Sequence, residues 1–284
     1  MARILITGCG SGLGASLAIR LANEGHEVIA TVRSIENTKI HIKKCSASNS
    51  LKYKQMDVTK KNEVQAVFDC LTKDDIKLDI IILNAASYSM GTIESADFEQ
   101  SKQSFEVNYW GSLNVIRAAL PIMRHQLSGK IIGIGSISSA IALPCDGFYS
   151  ASKAAMERML ESLRHEVTPF EIDVSMIVPA SFGSNLFHSL PPKLLQDTPY
   201  SPLLNQWLAK VHESNNTNSL QMNELEEVIL TVISAQKPDF IYPVGEMATQ
   251  VLNKLKSMTA NERNKAILAW SDTTWWSTYE FNEE

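Results

Sequence analysis

Two kinds of apolar pattern alternate along most of the chain. Short runs of Val, Ile and Leu without polar alternation are typical of strands that are buried on both faces of a parallel sheet. Longer amphipathic segments between these runs predict helices. The predicted strands are Ala2–Thr7, Glu27–Val32, Leu51–Asp57, Leu78–Asn84, Lys130–Ser136, Ile172–Val178 and Phe240–Tyr242. The predicted helices are Ala15–Asn23, Lys61–Leu71, Phe98–His125, Phe148–Pro169 and Asn223–Ala235.

This alternation predicts an α/β fold of the Rossmann type, with a doubly wound, mostly parallel sheet and helices on both faces. A chain of 284 residues is long enough for one large domain with an ample core. We expect this domain to occupy residues 1–245 and a helical extension with an aromatic and acidic tail to occupy residues 246–284. Residues 181–220 are too long for a plain connection and hold four of the ten prolines, so we expect them to form a lid over a site.

Composition excludes several classes of protein. The net charge of −5 and the pI near 5.7 give no reason to expect a nucleic acid or an anionic membrane as a partner. No apolar run reaches the roughly 18 residues that a membrane span needs, and the first residues enter a strand without a signal-peptide pattern. The four cysteines are scattered without metal-ligand spacing, so we expect free thiols in a reducing cytoplasm and no metal site.

A glycine cluster separates the first predicted strand from the first predicted helix. It reads Thr7-Gly-Cys-Gly-Ser-Gly-Leu-Gly14. Glycines allow the backbone to approach a pyrophosphate closely, and the N-terminus of the helix adds the positive end of its dipole. The strand, loop and helix together predict a dinucleotide-binding unit.

Tyr149 and Lys153 lie four residues apart on a predicted helix, so their side chains share one face. A free tyrosine has a pKa of about 10, which makes it a poor acid or base near neutral pH. A lysine ammonium one turn away stabilises the phenolate and is expected to lower this pKa. The hydroxyl of Ser136, which ends a predicted strand, could hold a carbonyl or alcohol oxygen beside Tyr149. A Tyr-x-x-x-Lys pair alone is a common coincidence.

Taken together, these motifs resemble those of the short-chain dehydrogenase/reductase family, and the resemblance covers Ala2 to Gly245. It rests on the glycine loop, Asp57-Val58 after the third strand, Asn84-Ala85-Ala86, Asn108 in Asn-Tyr-Trp-Gly, Ser136, Tyr149, Lys153, Pro179-Ala180 and Ser184. The segment around Tyr149 looks most like the branch that handles steroid and retinoid alcohols and ketones. The resemblance implies an enzyme that interconverts a carbonyl and an alcohol with NADP(H) or NAD(H).

The resemblance also implies a role for each matched position. The catalytic residues would be Asn108, Ser136, Tyr149 and Lys153. The cofactor residues would be Thr7, Gly8, Gly10, Ser11, Gly12, Leu13, Gly14, Arg33, Asp57, Val58, Asn84, Ala85, Tyr149, Lys153, Pro179 and Ser184. Tyr149 would exchange the proton, Lys153 would lower its pKa and bind ribose hydroxyls, and Asn108 would position a water. Two alternatives stay open: Asn108 could satisfy backbone groups at a helix kink, and Asp57 could cap a strand end.

The chain departs from the family pattern at three places. Leu83 stands for an Asn, and Ala86 and Ala180 stand for Gly, so the backbone must avoid positive φ at the two alanines. Ser138 and Ser139 follow Ser136 closely, but the thirteen-residue interval to Tyr149 favours Ser136.

We expect NADP(H) as the preferred cofactor. Relatives that prefer NAD carry an acid near the position of Val32, where it bonds the ribose 2′-hydroxyl. That acid is missing here, and the next residue, Arg33, can meet a 2′-phosphate through its planar guanidinium. The alternative is that Arg33 is an ordinary solvated arginine.

The expected lid is apolar, with Phe182, Phe187, Trp207 and several leucines and few cations, so we predict a lipophilic ketone, aldehyde or alcohol as the substrate. The same leucines could instead simply pack the lid onto the domain. Small polar or acyl-carrier substrates, and a catalytically silent dinucleotide-binding sensor, are the alternatives. We also expect a homodimer or homotetramer, paired through the helices Phe98–His125 and Phe148–Pro169.

Overall fold

The computed structural model describes residues 1–36, 38, 50–73, 77–180, 198–217 and 222–279, and of residues 211–217 it describes only the backbone. The strands in these ranges all belong to one parallel sheet. The strands are β1 (Arg3–Ile6), β2 (Glu27–Val32), β3 (Leu51–Gln55), β4 (Ile80–Leu83), β5 (Gly129–Ile134), β6 (Ile172–Pro179) and β7 (Ile241–Val244). The helices are α1 (Gly12–Asn23), α2 (Lys61–Lys73), α3 (Phe98–Phe105), α4 (Ser112–Gln126), α5 (Gly147–Glu166), α6 (Ser201–Thr217), α7 (Met222–Ser234), α8 (Glu246–Leu255) and α9 (Ala260–Ser271).

The strand order is β3-β2-β1-β4-β5-β6-β7. Strand β1 is an interior strand, where Ile4 pairs with Val28 of β2 on one side and with Ile80 of β4 on the other. The chain winds outward in opposite directions from this point, which is a topological switch point. The carboxyl ends of β1, β4 and β5 therefore open together onto one crevice. This confirms the doubly wound fold that the alternation predicted.

Two apolar cores cover the two faces of the sheet, as the uninterrupted Val and Ile runs require. On one face Leu5, Ile81 and Ile131 pack against α2, α4 and α5. On the other face Ile4 and Ile82 pack against α1 and α7. Neighbouring residues of one strand enter opposite cores because side chains alternate across a strand.

A third, smaller cluster lies at the carboxyl edge of the sheet. It contains Tyr88, Met90, Cys145, Tyr149, Leu203 and Leu204, with Tyr200, Trp207, Leu208 and Trp276 packed against it. Residues of helix α6 and one aromatic residue after α9 therefore pack in or against the cluster that contains the tyrosine that the sequence marks as catalytic. We call this set the edge cluster.

The structure corrects several predicted boundaries. The predicted helix Phe98–His125 is interrupted by a π-helical turn at Glu106–Gly111, which separates α3 from α4. The predicted helix Phe148–Pro169 ends at Glu166, and Pro169 lies in a short 3₁₀ turn, Thr168–Phe170. The expected lid divides at residue 198: residues 181–197 lie outside the described part of the chain, and most of the remainder is helix α6, which the sequence did not predict.

No described helix is both long and apolar enough to cross a membrane. Within the described residues, no group of three or more His, Cys, Asp or Glu side chains is placed to hold a metal ion.

Candidate active site

The glycine loop lies at the carboxyl end of β1 and is packed tightly against the end of β4. Gly8 has a φ of +73°, and a Cβ on it would lie 2.8 Å from the Cα of Ala85. A Cβ on Gly14 would lie 2.5 Å from Asn84 Nδ2 and 2.6 Å from the Gly8 carbonyl oxygen. Only glycine allows this backbone conformation and this close approach.

Hydrogen bonds from two side chains hold the loop in place. The Thr7 hydroxyl accepts from the backbone N–H groups of Asn84 (3.0 Å) and Ala85 (2.9 Å). The Asn84 side-chain amide donates to the carbonyl oxygens of Thr7 (2.8 Å) and Gly8 (3.2 Å). Thr7, Asn84 and Ala85 therefore set the shape of the loop.

Helix α1 begins inside the glycine cluster, at Gly12. The first N–H groups of a helix have no intrahelical acceptor, and the helix dipole places a partial positive charge there. The first turn of α1 contains no acidic residue, and the side chain of its N-cap, Ser11, makes no capping hydrogen bond. The backbone N–H groups at the start of this helix, from Gly12 to Gly14, together with the close backbone packing, fit a pyrophosphate.

Arg33 and Asp57 follow β2 and β3 at the same edge. Arg33 is exposed and comes directly after the last residue of β2. Oδ1 of Asp57 accepts from the backbone N–H (3.0 Å) and the hydroxyl (2.8 Å) of Thr59, so this oxygen caps the strand end. The carbonyl of Val58 accepts from Asn114 Nδ2 at 2.9 Å.

Helix α5 brings Tyr149 and Lys153 onto one face, as the four-residue spacing predicted. Both are buried, with exposed fractions of 9% and 2%. The Tyr149 ring packs against the Tyr88 ring, with 4.8 Å between centroids. Lys153 Nζ donates to the carbonyl of Ile134, at the end of β5, at 2.8 Å, and lies 5.9 Å from the centroid of the Tyr149 ring.

The pKa of Tyr149 departs from the sequence expectation in the direction opposite to the one expected. Burial raises the pKa of Tyr149 well above its ordinary value, the charge of Asp146 raises it further, and an interaction with the Ser136 hydroxyl lowers it. Burial also lowers the pKa of Lys153 to about 8. The expected lowering of the tyrosine pKa by Lys153 is not found, because desolvation of the phenolate outweighs every favourable contact.

Ser136 and Ser139 have separate roles. The Ser136 hydroxyl accepts from the backbone N–H of Ser138 at 3.1 Å and caps the 3₁₀ turn Ile137–Ser139. The Ser139 hydroxyl donates to the Ser136 carbonyl (2.8 Å) and hydrogen-bonds the carboxylate of Glu157. Ser136 is therefore the serine that interacts with Tyr149, in agreement with the interval in the sequence.

Asn108 is fully buried in the π-helical turn. Its Oδ1 accepts from the backbone N–H of Ser87 at 2.8 Å, and its Nδ2 donates to the Ser87 carbonyl and to the Ser152 hydroxyl, both at 2.9 Å. The hydroxyl of Ser112 donates to the Asn108 carbonyl at 2.8 Å. The side chain thus satisfies backbone groups beside a helix irregularity, which was the structural alternative for this residue.

The last predicted cofactor positions follow β6. Pro179 ends this strand and pairs with Val244 of β7. Ala86 and Ala180 both have negative φ, as their replacement of glycine required; the described non-glycine residues with positive φ are Leu127, Cys145, Glu171 and Asp272. Ser184 lies outside the described residues.

Two side chains near Tyr149, those of Asp146 and Tyr88, were not predicted from the sequence. Asp146 is 2% exposed and lies one turn before Tyr149 on the same helix face. Tyr88 reaches the site from the connection after β4, far away in the sequence. Asp146 could have been found from its i, i+3 spacing to Tyr149, whereas no local pattern marks Tyr88.

Comparison with known proteins agrees with this arrangement. A family model described as short chain dehydrogenase matches residues 2–194. The chain belongs to the short-chain dehydrogenases. It is 31% identical to a 3-ketodihydrosphingosine reductase from Bacteroides thetaiotaomicron, over 89% of this chain and 91% of that protein. It is 29% identical to 17-beta-hydroxysteroid dehydrogenase type 1 from Homo sapiens, over 84% and 76% of the two chains.

Solved short-chain dehydrogenase structures share the fold. One from Burkholderia cenocepacia J2315, in complex with NADP, has a TM-score of 0.74 and 25% identity, covering 95% of this chain and 97% of that one. Another, from Burkholderia phymatum in complex with NAD, has a TM-score of 0.77 and 20% identity, covering 90% and 92%. Structural neighbours therefore bind either dinucleotide.

Proposed function

We propose that this short-chain dehydrogenase interconverts a lipophilic carbonyl compound and its alcohol with NADP(H). The observation that carries the proposal is the meeting of Ser136, Tyr149 and Lys153 at the carboxyl edge of the sheet, on the side where the glycine loop forms a pyrophosphate cradle.

In this proposal Tyr149 is the acid and base. In the reductive direction its hydroxyl donates a proton to the carbonyl oxygen, and in the oxidative direction its phenolate accepts the proton of the alcohol. The Ser136 hydroxyl holds the same oxygen, because it interacts with the Tyr149 side chain. The nicotinamide, when bound, supplies or accepts the hydride. The raised pKa of Tyr149 keeps the hydroxyl protonated near neutral pH, so it carries the proton that reduction consumes, although a pKa so far above neutral makes it a weak acid.

Lys153 and the loop residues would hold the cofactor. Lys153 uses one of its three N–H donors on the Ile134 carbonyl, and the others suit ribose hydroxyls. Gly8, Gly12 and Gly14 and the start of α1 suit the pyrophosphate. Asn108, whose side chain is committed to Ser87 and Ser152, would act by fixing the π-helical turn beside Tyr149.

Arg33 supports NADP(H) over NAD(H). It is exposed at the end of β2, where short-chain dehydrogenases that prefer NAD would have an acid. No carboxylate in the described part of the chain forms an ion pair with it, so its guanidinium is free for a 2′-phosphate.

A cleft beside the edge cluster supports a lipophilic substrate. Its volume is about 400 Å³, and it is lined by Thr92, Ile93, Glu94, Pro144, Cys145, Tyr200 and Leu203. Cys145 and Leu203 also belong to the edge cluster that contains Tyr149, so the cleft borders that cluster. The relatives named for 3-ketodihydrosphingosine and for a 17-beta-hydroxysteroid have lipophilic substrates, which supports the same class here.

The deciding experiment measures NADPH oxidation with a panel of hydrophobic ketones and aldehydes beside small polar ones. We expect turnover of hydrophobic members, and a kcat at least ~100-fold lower in Tyr149→Phe, which keeps the ring and removes the proton donor. Activity confined to small polar members would overturn the substrate class. Dinucleotide binding without turnover of any member, or near-normal turnover by Tyr149→Phe, would overturn the chemistry.

We also propose a homodimer or homotetramer that pairs through α3, α4 and α5. Two large apolar side chains on the α3–α4 segment are exposed, Phe98 (71%) and Trp110 (47%), and a second copy would cover them. Light scattering should give a multiple of the 31.5 kDa chain mass, and Trp110→Asp should lower it. A monomer mass at micromolar concentration would contradict this proposal.

A further inference from the structure

Asp146 lies at the N-cap of α5 but does not cap the helix. An aspartate at this position usually accepts from backbone N–H groups of the first turn. Here the side chain makes no capping hydrogen bond and is 2% exposed. Its Oδ2 accepts from the Ser150 hydroxyl at 3.0 Å, and its Oδ1 has no hydrogen-bond partner at ordinary distance among the residues that the structure describes. Capping of the helix therefore does not explain why a carboxyl group is buried at this position.

The carboxyl lies instead among the groups around Tyr149. Asp146, Tyr149 and Lys153 are spaced i, i+3 and i+7, so they form one stripe along α5. Among the described residues, the side chains that interact with the carboxyl are those of Ser138, Ser150 and Tyr88, and its charge also acts on Cys145 and Tyr149. The Tyr88 ring packs on the Tyr149 ring, so the charge of one carboxyl acts on both aromatic side chains.

We propose that Asp146 is a positioning residue, whose buried negative charge, one helical turn before Tyr149 and beside the packed rings of Tyr88 and Tyr149, holds the proton on Tyr149. The proposal rests on the proposed function, since it assigns a purpose to the proton of Tyr149. A negative charge one helical turn away disfavours a phenolate, and low exposure strengthens the effect because water cannot screen it. Asp146 therefore keeps Tyr149 protonated toward alkaline pH.

The pH profile of kcat/KM tests this in both directions of the reaction. Asp146→Asn keeps the shape and removes the charge, so we expect the apparent pKa of the alkaline limb to fall by about one unit. Reduction should then decline at lower pH, and oxidation should reach its plateau at lower pH, by the same shift, because both report the proton of Tyr149. Asp146→Glu returns the charge and should restore the profile toward that of the parent enzyme.

Matched variants separate the charge from a merely structural role. Asp146→Ser also lacks the charge and should give the same shift, which covers the case in which Asp146→Asn does not fold. Glu161→Gln removes an exposed carboxylate of the same helix and should leave the profile unchanged. A parent-like alkaline limb in folded Asp146→Asn or Asp146→Ser would overturn the proposal, as would an equal shift in Glu161→Gln.

A second readout does not depend on turnover. Ionisation of Tyr149 is followed by ultraviolet absorbance with oxidised dinucleotide present, as the difference between each protein and the same protein carrying Tyr149→Phe. Ionisation at lower pH in Asp146→Asn supports the proposal even if no carbonyl compound is turned over, in which case the proposed function alone fails. Unchanged ionisation with normal turnover leaves the proposed function intact and refutes the role of Asp146.

Discussion

The site has a cofactor half around the glycine loop, Thr7–Gly14, and a catalytic half around Tyr149, and the two differ in what their side chains contribute to stability. Around the glycine loop, neutral groups make short hydrogen bonds and the backbone packs closely, so the same contacts stabilise the fold and shape the cradle. Around Tyr149, the groups are ionisable and buried, with Tyr149, Asp146 and Lys153 all held out of water. Burying such groups costs stability unless they are paired. The cofactor half therefore supports the fold, whereas the catalytic half is maintained at its expense.

Lys153→Met gives the sharpest test of this contrast. We expect kcat to fall at least ~100-fold, as for the loss of a group in the proton-transfer machinery. The free energy of unfolding at pH 7 should nevertheless rise. The folded pKa of about 8 lies below the ordinary lysine value of 10.5, so at pH 7 the buried ammonium costs about 3 kcal/mol.

The sign of this cost also predicts its pH dependence. Between about pH 8 and 10.5 the unfolded chain binds more protons at Lys153 than the native state, so the stability of the parent protein should rise with pH. The difference in the free energy of unfolding between the parent protein and Lys153→Met should therefore become smaller over the same pH range. Denaturant titrations at several pH values measure this, with Lys102→Met, an exposed lysine on α3, as the control. A variant that loses stability at pH 7 would break the contrast.

Asp146 should give a slope of the opposite sign at acid pH. Burial raises its pKa from 3.8 to about 6, so between these values the native state binds more protons than the unfolded chain. The free energy of unfolding should therefore fall by up to about 3 kcal/mol as pH rises through this window. Asp146→Asn should remove this part of the slope. An identical slope in parent and variant would show that the carboxyl is not desolvated.

Gly14→Ala probes the cofactor half. The added methyl would meet Asn84 Nδ2 at 2.5 Å and the Gly8 carbonyl oxygen at 2.6 Å, so the loop must shift. We expect a loss of about 1–3 kcal/mol in the free energy of unfolding without dinucleotide, the usual cost of overpacking. Gly10→Ala is the matched control, because the nearest atom of the described residues, Thr38 Oγ1, would lie 3.9 Å from its new methyl. Equal stability of the two variants would show that the cradle is not closely packed.

The sequence predicted the cofactor half more completely than the catalytic half, and the reason is physical. Part of the glycine requirement is local, because Gly8 has a φ of +73° and a Cβ on Gly14 would meet the Gly8 carbonyl oxygen at 2.6 Å, so a short stretch of sequence contains that part of its cause. The parallel sheet followed from uninterrupted runs such as Ile80–Leu83, for which a doubly covered sheet is the natural place.

The environment of Tyr149, in contrast, depends on elements that are distant in the sequence. Tyr88 comes from the connection after β4, Asp146 from the start of α5, and Trp207 from α6, and only the assembled fold brings them together. The tyrosine pKa was predicted from Lys153 alone, because a sequence shows a neighbouring charge but does not show how much water surrounds it. The π-helical turn that buries Asn108 likewise left no signal in an otherwise regular helical pattern.

Arg33 offers the smallest and cleanest change, because it is exposed and lies at the rim of the cofactor half. Arg33→Ala should reduce the preference for NADPH over NADH in kcat/KM by roughly 10-fold, the scale of one hydrogen bond to a charged group. The stability without dinucleotide should change by less than about 0.5 kcal/mol, as for other surface substitutions. Arg33→Lys keeps the charge without the planar guanidinium, so its preference for NADPH should lie between that of the parent protein and that of Arg33→Ala. An unchanged preference in Arg33→Ala would mean that Arg33 is only solvated, and the 2′-phosphate would then have to be recognised elsewhere.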